Sequence, residues 1–306
     1  MSANYCEKYG KVAVLMGGES GEREISLKSG AAVLNALQNN DVNAHGIDVD
    51  AMIFNRLISE GFDRAFIALH GCGGEDGVIQ GGLEMINMPY TGSGVMASSI
   101  CMNKLMTKKI WAAENIPTPD HIYIDESSSY DNVSAKLGGV FVVKPSKDGS
   151  SLGIHKVNNA EEFNHAVNDA KKFQGQLMAE QWIDGEEYTV GILNGQPLPV
   201  IKLQTPHDFY DYQAKYEAND TQYILPCGLP KDQENKLQQE ALRAFKSANA
   251  SGWGRVDVMV GRDQQPWFLE VNTVPGMTDH SLVPMAAAHI GIDFEQLVLK
   301  ILDNTI

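Results

Sequence analysis

The sequence predicts an open parallel α/β domain followed by a two-lobed module that combines α/β and α+β elements. Residues 11 to 100 alternate buried strands with segments of helical spacing, which is typical of a largely parallel sheet. Further along, apolar strands flank polar turns, which is typical of antiparallel pairing. The length of 306 residues exceeds what one compact core holds, so we expect two or three domains. We set their limits at residues 1–101, 102–185 and 186–306.

The first domain is predicted to contain three parallel strands. The run KVAVLM at 11–16 is a buried strand, and Val33, Leu34 and Leu37 recur at helical spacing after it. Further strands are expected at 42–49 and 65–69. Ligands of open sheets bind beyond the carboxyl ends of the strands. Three glycine-rich segments fall at those ends, namely 17–18, 70–77 and 91–94.

The central domain is predicted to begin with a helix from about Met102 to Pro119, where prolines end it. Two strands then flank the glycine- and serine-rich loop 147–153, and Lys144 precedes this loop. Such a loop can wrap phosphate oxygens with its backbone N–H groups while a lysine adds a point charge. A plain surface hairpin is the alternative. A helix over 160–173 and a strand over 176–183 complete the domain.

The C-terminal domain is predicted to hold two strands, a long loop, a helix, a hairpin and a closing helix. The loop from Gln204 to Pro230 contains Lys215 and Tyr216, is rich in aromatic residues and lacks periodicity. Loops of this length are uncommon and usually cover binding sites, so we expect a lid. The next helix places four apolar residues on one face: Leu237, Ala241, Phe245 and Ala248.

The most informative pattern lies in the hairpin near the C-terminus. Arg255 and Asp257 share one face of its first strand, and Glu270 and Asn272 share one face of its second. A register that gathers the polar groups places Asp257 opposite Glu270 and Arg255 opposite Asn272. Opposed carboxylates repel each other, so a positive charge is expected between them. Two acids and an amide oxygen suit Mg²⁺, whereas an exposed acidic hairpin is the alternative.

Other positions have both a structural and a functional interpretation. Glu22 lies near the start of a helix that Ser20 could cap, and it either complements the helix dipole or binds a substrate cation. His70 is either a structural histidine or a substrate-binding residue. The stretch from Glu180 to Ile183, with Glu187, joins an apolar slot to two carboxylates, as adenosine requires, but an ordinary strand end has the same composition.

Composition restricts the partners. The net charge of −15 disfavours nucleic acid and anionic membrane, because both need clustered cations. No apolar run approaches the roughly 20 residues that span a bilayer, and the N-terminal segment lacks the apolar core of a signal peptide. We therefore expect a cytoplasmic protein whose four separated cysteines are reduced thiols. Neither a G-x-G-x-x-G fingerprint nor a Walker motif is present.

Seven segments in order resemble the D-alanine:D-alanine ligases of the ATP-grasp superfamily. They are GGESGEREISL, LHGCGGEDG, PYTGSGVMAS, KPSKDGSSLG, FYDYQAKY, WGRVDVM and EVNTVPGMTDHSLVP, and the resemblance extends over nearly the whole length of the chain. The chain departs from the family pattern at Val271, where alanine is common, and at Cys72, where a larger polar residue often stands. The resemblance implies a two-lobed ATP-grasp module that binds ATP between its lobes.

The resemblance also implies a role for each site residue. The ATP phosphates would contact Lys104, Lys144 and Lys215, and the adenosine would contact Glu180, Trp182, Ile183 and Glu187. Two Mg²⁺ ions, for which Mn²⁺ can substitute, would bind Asp257, Glu270 and Asn272. The first D-alanine would place its ammonium on Glu22, which would form a hydrogen-bonded chain with Ser150 and Tyr216. The carboxylate of the second would lie on Ser281 and Leu282, and the oxyanion on Arg255 and the backbone of Gly276.

The implied reaction joins two D-alanines through an acyl phosphate, with ADP and phosphate as the other products, and supplies a peptidoglycan precursor. One alternative is a related ligase that uses D-serine or D-lactate, although Tyr216 disfavours the hydroxy acid. A second alternative is a non-catalytic ATP-binding module, which would be expected to lose Asp257, Glu270 or Arg255. Oligomeric state stays open, with a homodimer as one option.

Overall fold

The structure is a computed structural model that describes residues 5–147, 153–170, 172, 176–205, 221–278 and 280–306. These residues form helices and three sheets, of which the first is parallel and the other two are antiparallel. The predicted fold class is therefore confirmed. Ser150, Lys215 and Tyr216 lie outside the described residues, and so do 206–220 of the predicted lid.

The N-terminal part is a parallel sheet with the strand order β2–β1–β3. Its strands are β1 Lys11–Met16, β2 Asn43–Asp48 and β3 Arg64–Ile67. The helices around it are α1 Tyr5–Tyr9, α2 Arg23–Asn39, α3 Ile53–Ser59, α4 Val78–Met85 and α5 Val95–Met102. All three predicted strands are present, and β1 is buried because it lies between the other two.

The central sheet has the order β4–β7–β5–β6. Its strands are β4 His121–Ile124, β5 Phe141–Pro145, β6 His155–Val157 and β7 Leu177–Gln181, with helices α6 Lys104–Ala113, α7 Tyr130–Leu137 and α8 Ala160–Ala170. The predicted helix from Met102 to Pro119 is wrong at both ends. Asn103 caps α6 by accepting a hydrogen bond from the Met106 N–H, and Asn115, with φ 55°, follows its end before the prolines.

The C-terminal sheet has the order β10–β9–β8–β11–β12. Its strands are β8 Gly185–Leu193, β9 Gln196–Gln204, β10 Gln222–Ile224, β11 Trp253–Gly261 and β12 Pro266–Asn272, with helices α9 Lys231–Ser247, α10 Leu282–His289 and α11 Phe294–Leu302. The expectation of a loop without structure up to Pro230 is wrong for β10, which pairs with β9. A strand of three residues is too short to show periodicity.

Of the last two helices, α11 packs on the N-terminal domain, whereas α10 packs on β8 and β9 of the C-terminal sheet. Leu297, Val298 and Ile301 of α11 are fully buried in one cluster with the residues of β1, and α11 packs on α2. No single helix in the described ranges is long and apolar enough to cross a membrane. The segments Leu282–His289 and Phe294–Thr305 reach that length and composition together, but they meet at 107°.

Helices near the predicted domain limits pack across them. The indole of Trp111 in α6 is buried and donates to the Ala244 carbonyl of α9 at 3.0 Å. Both α5 and α6 also contact β12. The limits at residues 101 and 185 therefore stay a prediction, because sequence segments and packing units differ at both places.

Candidate active site

The hairpin of β11 and β12 has the predicted register. Arg255 lies opposite Asn272, and Asp257 lies opposite Glu270. The register shifts directly after Asp257, so that Val258 faces Phe268. A bulge of this kind twists the strand and re-aims neighbouring side chains. The register prediction is confirmed, and the irregularity begins at the acidic pair itself.

Cations of the protein lie against both carboxylates. Arg255 donates from Nε and Nη2 to the two oxygens of Asp257, at 2.8 Å each. The hydroxyl of Thr189 donates to Asp257 Oδ1 at 2.7 Å, and Asn272 Nδ2 donates to Oδ2 at 3.0 Å. Lys104 Nζ lies 3.1 Å from Glu270 Oε2. The positive charge expected between the acids is thus supplied in part by the chain.

The donor set of the hairpin fits a hard divalent cation. Asp257 and Glu270 offer carboxylate oxygens, and Asn272 offers an amide oxygen. Within the described ranges, no group of three or more His, Cys, Asp or Glu side chains could hold a metal ion. Mg²⁺ commonly takes only one or two carboxylates and completes its shell with water and substrate phosphate oxygens. The metal site therefore stays a prediction that this donor set supports.

A cavity of about 480 Å³ lies between the central and C-terminal sheets. Its lining includes eight of the predicted site residues, namely Lys104, Lys144, Glu180, Trp182, Ile183, Glu187, Asp257 and Glu270. The volume is within the range of small-molecule sites. The fold thus gathers the residues predicted for ATP phosphates, adenosine and metal around one space. Lys202, Met259 and Leu269 also line it, and sequence reasoning missed them.

Glu180, which lines this cavity, is paired with two lysines. Lys144 Nζ donates to its Oε1 at 2.8 Å, and Lys108 Nζ lies 2.6 Å from its Oε2 as an ion pair without hydrogen-bond alignment. Burial alone would raise the pKa of Glu180, but the two lysines lower it to about 2. In turn, burial lowers the pKa of Lys108 to about 8 despite the attraction of Glu180.

Lys108 is the main residue that sequence reasoning missed. It follows Lys104 by one helical turn on the same helix, so both side chains leave α6 on one face. Lys104 contacts Glu270, and Lys108 contacts Glu180. The spacing of four between Lys104 and Lys108, which places both on one face of the helix, was the available signal.

On the other side of the hairpin, Glu22 and Gly71 face each other at the ends of β1 and β3. Glu22, rather than Ser20, is the N-cap residue of α2, and its side chain makes no capping hydrogen bond. The prediction of Ser20 as the N-cap is therefore wrong: Ser20 lies two residues before the N-cap, where its hydroxyl accepts from the Glu22 N–H at 3.2 Å and donates to the His70 carbonyl at 2.7 Å. A Cβ on Gly71, which has φ 72°, would lie 3.1 Å from Glu22 Oε1.

His70 connects this region to the segment after β12. Its Nδ1 lies 2.8 Å from the Val274 carbonyl, and its Nε2 lies 2.9 Å from the hydroxyl of Ser29. The same hydroxyl accepts from the Met277 N–H at 3.1 Å. Burial lowers the pKa of His70 to about 4, so the neutral ring donates from Nδ1 and accepts at Nε2. Both ring nitrogens thus hold the segment that contains Gly276.

Glu75 is a second buried acid near Glu22. Its Oε2 accepts from the Gly71 N–H at 3.0 Å. Burial and the nearby charge of Glu22 raise the pKa of Glu75 to about 8, against the opposing influence of Arg255. Glu75 is therefore largely protonated at neutral pH. The sequence does not show this protonation, because a raised pKa depends on neighbours from other parts of the fold.

Ser281 stands at the N-cap position of α10 without a side-chain capping hydrogen bond. It is the N-cap residue, Leu282 begins the helix, and the Thr278 N–H donates to Ser281 Oγ at 3.0 Å. A Cβ on Gly276 would lie 3.1 Å from the same oxygen. Backbone N–H groups at a helix start attract carboxylates, which suits the role predicted for this end of the site.

Comparisons with known proteins agree with this geometry. Family models described as "D-ala D-ala ligase C-terminus" and "D-ala D-ala ligase N-terminus" match residues 110–303 and 54–93. A D-alanine–D-alanine ligase of Ectopseudomonas mendocina is 53% identical over 97% of this chain and 95% of its own length.

Two solved structures have the same fold over almost the whole chain. The D-alanine–D-alanine ligase of Bacillus anthracis complexed with ATP has a TM-score of 0.84 at 32% identity, with 96% of this chain and 97% of that chain covered. A D-Ala:D-Ser ligase of Enterococcus faecalis has a TM-score of 0.85 at 26% identity, with 97% and 99% covered. The chain therefore belongs to the D-alanine–D-alanine ligase family of ATP-grasp enzymes.

Proposed function

We propose that this chain joins two D-alanines into D-alanyl-D-alanine at the expense of ATP, as a cytoplasmic step toward cell-wall peptidoglycan. The observation that carries the proposal is the Asp257–Glu270 pair at the wall of a cavity that Lys104, Lys144 and Glu180 also line. Carboxylates, lysines and an apolar slot in one cavity are what a nucleotide with a divalent cation requires. The names of the E. mendocina and B. anthracis relatives support the same substrates.

We assign the nucleotide to the cavity between the two sheets. Its adenosine would contact Glu180, Trp182, Ile183 and Glu187, and its phosphates would contact Lys104 and Lys144. Lys156 Nζ lies 4.2 Å from the ring centre of Trp182, so this indole has a fixed cationic neighbour. Lys215 lies outside the described residues and keeps its predicted role at the phosphates.

Asp257, Glu270 and Asn272 would hold two Mg²⁺ ions, or Mn²⁺ in their place, together with phosphate oxygens. Such ions supply positive charge that stabilises the transferring phosphoryl group. Within the chain, Arg255 and Thr189 fix the Asp257 carboxylate in one orientation before any ligand binds. The acidic side of the site is therefore preorganised.

The amino acids would react on the other side of the hairpin. A carboxylate oxygen of the first D-alanine, held by its ammonium on Glu22, attacks the γ-phosphorus, and ADP leaves. The deprotonated amine of the second D-alanine then attacks the acyl carbon, and phosphate leaves. Arg255 and the Gly276 N–H would stabilise the oxyanion. Ser281 and Leu282 would hold the second carboxylate at the start of α10.

Product analysis tests the proposal. The protein, ATP and Mg²⁺ are incubated with D-alanine alone or with D-serine, D-lactate or L-alanine as a second substrate, and phosphate and products are quantified. We expect phosphate release that depends on D-alanine and matches dipeptide formation. ATP binding without turnover would indicate a non-catalytic module. Preferential D-alanyl-D-serine formation would indicate the specificity named for the E. faecalis structure. Sedimentation of the same sample tests the homodimer.

A further inference from the structure

Lys108 is buried behind the nucleotide cavity and has no part in the function proposed above. Its side chain is fully buried, and Nζ lies 2.6 Å from Glu180 Oε2. The same nitrogen donates to the Thr118 hydroxyl at 2.6 Å and approaches the Phe268 carbonyl at 3.5 Å. Burying an ammonium group costs free energy unless the group is paired. A lysine at this position of α6 therefore points to a role for its charge.

We propose that Lys108 is a positioning residue of the nucleotide site, which holds the Glu180 carboxylate toward the cavity and thereby sets a preference for a 6-amino purine. The inference rests on the proposed function, because it takes ATP as the ligand of this cavity.

Glu180 has two lysine partners with different surroundings. Lys144 lines the cavity and is assigned to the ATP phosphates, so a bound nucleotide competes for its ammonium group. Lys108 does not line the cavity and reaches Glu180 from behind. When ATP draws on Lys144, the contact from Lys108 is the one that keeps the carboxylate in place.

The charge of Glu180 decides which purine it accepts. A carboxylate can only accept hydrogen bonds, whereas a protonated carboxyl group can also donate one. The 6-amino group of adenine is a donor, and the 6-oxo group of hypoxanthine is an acceptor. Burial would otherwise favour the protonated form, and the two lysines prevent this by lowering the pKa of Glu180. Lys108 therefore favours adenine and disfavours the 6-oxo base.

Lys108 also joins the wall of the cavity to the metal hairpin. The Thr118 hydroxyl, which accepts from Lys108, donates to the Phe268 carbonyl at 2.8 Å. Phe268 is followed in β12 by Leu269 and Glu270, which both line the cavity. The lysine thus fixes Glu180 relative to the strand that carries the acid predicted to bind metal.

The test compares Lys108→Met with Lys108→Arg and with Lys109→Met as matched control, since Lys109 is the exposed neighbour on the same helix. Calorimetry measures ATP and ITP affinities with Mg²⁺, and steady-state kinetics measure KM for D-alanine. We expect Lys108→Met to weaken ATP binding at least about tenfold, as unpairing a buried charged group does, and to narrow the ATP-over-ITP preference. In Lys108→Met, Glu180 should become protonated as the pH falls from 7 to 5, so the ATP affinity of this variant should fall over the same range. KM for D-alanine should stay within about twofold.

Lys108→Arg keeps the charge and should recover most of the purine preference, and Lys109→Met should match the unmodified protein. An unchanged ATP-over-ITP ratio in Lys108→Met would overturn the proposal. The proposal would also be overturned if Lys108→Met weakened ATP binding, ITP binding and KM for D-alanine equally and Lys108→Arg did not restore them. Such equal losses would indicate a packing role for Lys108. If Lys108→Met does not fold, Thr118→Val removes one contact of the lysine and repeats the binding test. Failure of the proposed function is seen separately, as absence of D-alanine-dependent phosphate release by the unmodified protein.

Discussion

Glu180 in the nucleotide half and Glu75 in the amino-acid half are both buried acids, yet their pKa values move in opposite directions. Burial acts to raise both. Around Glu180, Lys108 and Lys144 outweigh burial and bring the pKa to about 2. Around Glu75, the charge of Glu22 adds to burial and brings it to about 8. Both acids are buried, so the charges of their neighbours account for the opposite directions of the two pKa shifts.

The difference matches what each half is proposed to bind. The nucleotide half uses fixed ionic groups, which suit a polyanion and its cations. The amino-acid half keeps Glu75 and His70 neutral near pH 7, because burial also lowers the pKa of His70 to about 4. A neutral Glu75 adds no second negative charge beside Glu22, the residue proposed to bind the ammonium group of an amino acid.

The largest expected effect is on stability, and it separates the two acids directly. Glu180→Gln leaves two buried lysines without their counter-charge, so the free energy of unfolding at pH 7 should fall by about 3–5 kcal/mol. Glu75→Gln replaces a carboxyl group that at pH 7 is protonated in the folded protein and ionised in the unfolded chain, so this variant should lose no stability at pH 7, because an amide releases no proton on unfolding. Denaturant unfolding of both variants measures this, and equal losses would remove the distinction between the acids.

A second substitution asks whether the charges of the nucleotide half also serve the reaction. Glu270→Gln should fold normally and lose turnover at least about 100-fold, because an amide cannot offset the charge of bound cations. Steady-state rates at saturating Mg²⁺ measure it, with Glu240→Gln on the surface of α9 as control. Turnover within about threefold of the unmodified protein would argue against the metal assignment.

The pH dependence of the free energy of unfolding tests whether Glu75 is protonated in the folded protein. In the unfolded chain this acid ionises near its ordinary pKa of 4.5, and in the folded protein near 8. Between these values the folded state holds the extra proton, so stability is highest below the lower value and declines toward the higher one. The decline should be about 1.4 kcal/mol per pH unit for one group.

This slope is obtained by subtracting the unfolding free energies of Glu75→Gln from those of the unmodified protein at pH 5, 6, 7 and 8. The subtraction removes the opposite contribution of His70, which is lost as pH falls from about 6.5 toward 4. A flat difference would show that Glu75 is ionised in the folded protein.

The smallest expected effect concerns Glu22. If it binds the ammonium of the first D-alanine, Glu22→Gln should raise KM for D-alanine at that subsite about tenfold and leave KM for ATP within about twofold. Equal changes in both constants would favour a role in α2 alone, where its side chain makes no capping hydrogen bond.

The sequence was most informative where period-two alternation and chemistry coincide. The hairpin register follows from four polar residues that must share one face, and the structure has that register. The pKa shifts of the buried acids could not be predicted from the sequence in this way. Lys108 and Lys144 lower the pKa of Glu180, and Glu22 helps to raise the pKa of Glu75. These neighbours come from other elements of the fold. Such shifts depend on distances between elements, which no spacing along the chain supplies.

The error in the helix predicted from Met102 to Pro119 has a local origin. The backbone of Asn103 turns extended, with ψ 94°, and so ends α5, whereas its side chain caps α6. The loop beyond Gln204 illustrates the opposite limit, since three residues of β10 give no pattern by themselves. Tyr216 and Ser150, which were predicted to join the lid to Glu22, lie outside the described residues.

The packing of α11 against β1 and α2 has a consequence for biosynthesis. A ribosome releases the N-terminal strands long before it releases Phe294–Leu302, so their apolar face stays exposed while most of the chain is made. The hydrogen bonds of Tyr9 with Asp303 and of Arg64 with Thr305 likewise form only after residues 303–305 have been synthesised. The core of the N-terminal sheet is therefore completed only after Phe294–Leu302 has been synthesised, long after its own strands.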